Sequence, residues 1–300
     1  MNEEVLPQRT TVLFTHAVAQ FIADEVGADV LHIKGPAVES NALALGALPT
    51  DPVRTSVDAD VLVRPAPLPL MLQGLTRHGW TLLYDFSGGS PFRHAATLGR
   101  EGLANVDVHR YFPGIELEPE AAFSRLWEDR RSLTIAAQRI HVPSLLAQRL
   151  ILILHAARSP AFDLTKEARA PWVSADPETR GDLARLAADL NADVAFRAAT
   201  GGLDLVRNEP SHDLWAALST GEASQVRLWG ARVRAARGWR ESVRTGVSLL
   251  APNTGRMASR IGRPLNGGEL LRAYVEQARR GVRALLKETH HADAPPGDRK

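Results

Sequence analysis

The hydrophobic periodicity of this chain changes once, at Pro143-Ser144. Before that point short apolar runs alternate with amphipathic stretches. After it, almost every segment is rich in Ala, Leu and Arg and repeats at helical spacing. Such a chain builds a mixed α/β unit first and a helical unit second. Its 300 residues give each unit enough length for a sizeable core. The expected organisation is an α/β domain over 1–143, an all-α domain over 144–288, and a polar, Pro-bearing tail over 289–300 that reads as disordered.

In the first half, residues 8–26 read as an amphipathic helix ended by Gly27. A strand is expected over 29–35, ending in Lys34-Gly35, and a helix over 36–47 with Pro36 in its first turn. A strand over 56–63 stops before Pro65 and Pro67. A helix follows over 68–79, and strands over 80–86, 92–100 and 103–112. In the second half, Ser144 is placed to cap a buried helix beginning at Leu145. Further helices are expected over 180–191, 212–221, 223–250 and 268–288. Trp215, Trp229 and Trp239 read as core or interface aromatics.

Composition narrows the chemistry. The chain has no cysteine, which excludes disulfides and thiolate metal sites. Its opening, MNEEVLPQRT, lacks the basic and apolar regions of a signal peptide. The most apolar run, residues 145–157, contains Arg149 and is too short to span a bilayer. A cytoplasmic protein with no membrane partner is expected. The formal net charge of +2 conceals an asymmetry. Residues 225–287 hold 14 Arg or Lys against 3 Glu, a balance of +11 that leaves −9 for the rest. A basic back of this kind suits an anionic partner such as RNA, or forms the solvated faces of helices.

One expected strand carries charges that a buried strand avoids. In RTSVDADVLV, residues 54–63, Asp58 and Asp60 stand two apart and so point to one face. Like charges so placed raise each other's pKa unless a cation intervenes. Asp107 and His109 repeat the pattern in NVDVHRYF, with Val106 and Val108 facing the other way. If the strands lie side by side, Asp58, Asp60 and Asp107 converge into an oxygen site for Mg²⁺ or Mn²⁺. Lys34-Gly35, at a strand end before a helix, suits a phosphate.

LHIKGPA, RTSVDADVLV and LANVDVHRYF in this order, followed by an apolar helix bearing His155, resemble the uncharacterised bacterial nucleotidyltransferase family of the DNA polymerase β superfamily. The resemblance covers roughly residues 10–190. It implies an α+β fold: a mixed-sheet, polymerase β-like nucleotidyltransferase core followed by an all-α C-terminal domain. It also implies a metal-dependent enzyme that moves an NMP from an NTP to an acceptor hydroxyl and releases pyrophosphate. On that resemblance Asp58, Asp60 and Asp107 are the catalytic and metal-binding carboxylates, and Asp107 helps deprotonate the attacking hydroxyl. Lys34 and Gly35 lie against the triphosphate, and His109 serves as a ligand or as a donor beside the metals. Asp182-Leu183 matches an Asp-Leu pair that a later helix of the family often carries.

The chain departs from the wider superfamily in having Pro36 where a serine follows the glycine, and in a longer gap to Asp58. Arg54 or Ser56 would then supply the phosphate contact. The acceptor is open between RNA, especially a tRNA end, and a small molecule or peptide. The rival expectation is a catalytically degenerate nucleotide- or RNA-binding regulatory module. A hydrolase using Asp107, His109 and His155 as metal ligands lacks a supporting His spacing.

Overall fold

The computed structural model describes residues 6–39, 56–86, 92–158, 169–220, 266–276 and 279. Helix α1 (Gln8–Val26) ends at Gly27, whose left-handed φ of 69° brings its N–H back to the carbonyls of Ala23 and Asp24. Strand β1 (Val30–His32) leads into a single 3-10 turn, Gly35–Ala37. The helix expected over 36–47 does not extend through Val38, which is extended (φ −85°, ψ 119°) and ends the turn. Residues 40–47 lie outside the described residues.

The next elements follow the hydrophobic pattern: β2 (Asp58–Val63), α2 (Leu68–Arg77), β3 (Thr81–Tyr84), β4 (Ala95–Gly99) and β5 (Asn105–His109). Then come α3 (Pro119–Glu128) and a hairpin of β6 (Arg131–Ile135) and β7 (Gln138–Val142). The helical half begins with α4 (Leu145–Ala156), where the Ser144 side chain accepts from the Ala147 N–H at 3.3 Å. A π-helical turn (Arg169–Val173) precedes α5 (Pro177–Asp189), α6 (Asp193–Thr200), a 3-10 turn (Leu203–Val206) and α7 (His212–Thr220). Residues 267–276 are helical. No helix among the described residues is long and apolar enough to cross a membrane. The helix expected over 223–250, with Trp229 and Trp239, lies outside the described residues, whereas Trp215 is buried.

Five strands form one mixed sheet in the order β1-β2-β5-β4-β3. The central pair, β2 and β5, is parallel, and the outer pairings are antiparallel. The pleat sorts side chains by face. Val61, Val63, Val106 and Val108 pack with Ala19, Ile22 and Ala23 of α1 and Met71 and Leu75 of α2. Leu31, Ile33 and Leu62 belong to a second core, with Phe112, Phe123 and the apolar face of α4. That core continues without a break into α5 and α6 through Leu183, Leu186, Ala195 and Phe196. The chain is therefore α+β, with α1 and α2 covering one face of the sheet and α4 reaching the other.

Candidate active site

The parallel pairing of β2 and β5 sets Asp60 beside Asp107 and Leu62 beside His109. Neighbouring strands are about 4.8 Å apart, so this register alone brings the carboxylates together. Ligand atoms of Asp60, Asp107 and His109 lie within 4.8 Å of one another. The spacing and the donor set fit a divalent cation. Asp58, two residues before Asp60, is half-buried and stands outside this triad. Ser56 Oγ donates to the Asp58 carbonyl at 2.7 Å and lies 3.3 Å from Asp58 Oδ1.

Asp60 is the hub and is only 2% exposed. Lys34 Nζ is 2.5 Å from its Oδ1, and His109 Nε2 donates to the same oxygen at 2.8 Å. Burial alone would raise this carboxyl, but the Lys34 ammonium and the His109 donor overcome it and hold Asp60 well below the usual carboxylate range. Asp107 goes the other way. Burial, then the Asp60 charge, pushes it up to about 6, although Thr97 Oγ1 donates to Asp107 Oδ1 at 2.6 Å. Burial and Asp60 raise Asp58 as well. Three carboxylates in one place thus divide into one fixed anion and two whose negative charge is disfavoured. His109 is buried and lowered to about 4 by that burial, so at neutral pH it is an uncharged donor to Asp60.

Gly35 reaches the site by its backbone. Its φ of 60° suits a residue without Cβ, and an added Cβ would sit 2.8 Å from Ser56 Cβ. The turn after β1 therefore packs directly on the residue that leads into Asp58. Arg54 lies outside the described residues.

Two groups beside the site, and a relay beneath it, were not among those predicted. His94, just before β4, lies with its ring 4.9 Å from that of His109. Arg158, just past α4, donates from Nη1 to His94 Nε2 at 3.3 Å. On the other face of the sheet a buried relay runs beneath the site. Gln20 Nε2 donates to Asp24 Oδ1 at 2.7 Å, so Gln20 Oε1 faces His32 Nε2 at 3.2 Å and accepts from it. His32 Nδ1 then accepts from His16 Nδ1 at 2.7 Å. No spacing rule links residues 16 and 32; only the packing of α1 on β1 does. The secondary candidates fall elsewhere. Asp182 pairs with Arg185 on the surface of α5. His155 is half-buried on the last turn of α4 and is not part of the triad.

Residues 20–167 match the sequence model described as uncharacterised nucleotidyltransferase. This segment belongs to that nucleotidyltransferase family. The match contains Lys34, Gly35, all three carboxylates, His109 and Arg158. Among solved structures, an antigenic nucleotidyltransferase-like protein from Paracoccidioides brasiliensis is similar at 19% identity and a TM-score of 0.35, over 71% of this chain and 93% of that one. No curated protein matches the chain.

Proposed function

We propose that this nucleotidyltransferase-family chain is an active enzyme that transfers a nucleoside monophosphate from an NTP to an acceptor hydroxyl. The observation that carries the reading is the register of β2 against β5, which gathers Asp60, Asp107 and His109 beside Asp58 and the Lys34-Gly35 turn. In the reaction the acceptor oxygen bonds to the α-phosphorus, the bond from that phosphorus to the β-bridging oxygen breaks, and pyrophosphate leaves. Asp58, Asp60 and Asp107 would hold Mg²⁺ or Mn²⁺, which supplies positive charge to the phosphates and to the attacking and leaving oxygens.

The protein's own groups have distinct roles in this reading. Asp60 is kept ionised by Lys34 and oriented by His109. Asp107 would complete the metal site and help deprotonate the attacking hydroxyl. Lys34 and the backbone of Gly35 would face the triphosphate, and Ser56 braces Asp58 against that turn. The acceptor belongs to the chemistry of residues beyond the triad, and the arginines of 225–287 support an RNA.

Pyrophosphate release with each of the four NTPs, Mn²⁺ and a bulk RNA acceptor tests the reading. Wild type is expected to release pyrophosphate with at least one NTP, and Asp58→Asn to cut the rate by roughly a hundredfold or more. Equal rates in wild type and variant would refute the assignment. Absence of release with any NTP and any acceptor would make the chain a degenerate binding module.

A further inference from the structure

Arg158 is a half-buried cation with no ion-pair partner among the described residues. It follows the C-terminus of α4 and is half-buried. Its guanidinium lies over the rings of Phe92 at 5.9 Å and Phe112 at 5.6 Å. Among the described residues its side chain makes one hydrogen bond, to His94 Nε2. Among the described residues no carboxylate lies within ion-pair distance of it. Burial lowers this arginine to about 10, and the charge of Asp60 offsets part of the loss. The group is partly withdrawn from water and lies within electrostatic reach of Asp60.

Withdrawing a guanidinium from water is costly unless an anion compensates. Asp60 does not compensate directly, since its Oδ1 is already engaged by Lys34 and His109. The aromatic rings hold the planar group in place, but a cation–π contact is a weak substitute for an anion. Among the described residues one of its five guanidinium N–H donors is engaged. His94 fixes the orientation. Because its Nε2 accepts from Arg158, its proton is on Nδ1, which is buried with no partner. A cation fixed by two rings and an imidazole, with most of its donors unengaged among the described residues, is built to meet a multiply charged oxyanion.

We infer that Arg158, held by His94, Phe92 and Phe112, forms an oxyanion subsite for a polyphosphate chain on the α4 side of the Asp60–Asp107–His109 cluster. If the chain is a nucleotidyltransferase as proposed above, that polyphosphate is the β,γ-portion of the NTP and then the leaving pyrophosphate. The naming of the ligand as an NTP rests on that reading; the anion subsite does not. Lys34 would meet the phosphates from the β1 side and Arg158 from the α4 side, so the two cations flank the leaving group rather than duplicate each other.

The test is calorimetric titration of the full chain with inorganic tripolyphosphate, without divalent ions, in wild type, Arg158→Gln and Arg158→Lys. Mn²⁺ is titrated separately. The subsite predicts that Arg158→Gln weakens tripolyphosphate by about tenfold or more and leaves Mn²⁺ affinity unchanged. Arg158→Lys, which keeps the charge and loses the planar fork, should fall between them. This second variant guards against a glutamine variant that fails to fold. Tripolyphosphate binding that is equal in all three proteins, or absent in wild type, would overturn the inference. NTP titration with Mn²⁺ separates the two claims. If wild type binds tripolyphosphate through Arg158 but no NTP, the subsite stands and the donor assignment falls.

Discussion

Asp60 and Asp58 are two residues apart on one strand, yet their environments are opposite. Lys34 and His109 both act on Asp60, which is buried and ionised. Replacing it with asparagine leaves the Lys34 ammonium, 16% exposed, without its anion. Asp60→Asn is expected to lower stability by roughly 3 kcal/mol as well as activity. Asp58 is raised by burial and by Asp60, so its charge is a burden on the metal-free fold. Asp58→Asn should therefore leave the Tm unchanged or higher. Thermal unfolding of both variants without divalent ions checks this, and equal losses in the two would contradict it. For this reason Asp58→Asn is the cleaner probe of function.

The turn after β1 and the packing of α1 beneath it are what hold Lys34 over Asp60. Gly35→Ala would place a Cβ 2.8 Å from Ser56 in a left-handed conformation. The backbone cost alone is about 1–2 kcal/mol, and the Lys34–Asp60 contact should loosen with it. A Tm equal to wild type would mean the turn is not fixed as described. Under that turn, His16 is lowered to about 4 by burial, with Asp60 opposing, and His32 is lowered by burial, then by His16. Both therefore fold as neutral rings. A folded pKa below the unfolded 6.5 gives stability that is present above pH 6.5 and lost as pH falls through about 4. For His16 the loss is on the order of 3 kcal/mol. The Tm of wild type should drop over that window, and the slope should be shallower in His16→Gln; parallel curves would contradict the relay. Elements with strong periodicity, such as α1, β2, β5 and α4, were legible in the sequence. The β6–β7 hairpin was not. Its two-residue loop is Ala136-Ala137, both at positive φ (48° and 65°), where Asn-Gly would be the readable signal. α3 is ten residues with Pro119 at its start, too short for periodicity to stand out.

Across the whole molecule, the carboxylate pairs were legible because strand alternation puts i and i+2 on one face. The parallel register that joins them, and the Lys34 and His109 contacts that separate Asp60 from Asp107 in pKa, are properties of the assembled fold. Arg158 and His94 were illegible for the same reason: a cation without an anion is recognised only once its surroundings are packed. The +11 balance of residues 225–287 is a sequence property, and it leads to a prediction about the acceptor. If those arginines contact RNA phosphates, binding of a bulk RNA should weaken by about tenfold or more between roughly 50 and 200 mM salt; a flat dependence would remove RNA as the acceptor. The central claim is that the Asp58–Asp60–Asp107 site binds a metal-bound nucleotide. It is tested most directly by calorimetric titration of each NTP with Mg²⁺ or Mn²⁺ into wild type and Asp58→Asn. The account predicts metal-dependent binding of at least one NTP in wild type and its loss in a variant that remains folded. Binding that persists unchanged in Asp58→Asn, or no binding in wild type, would contradict it.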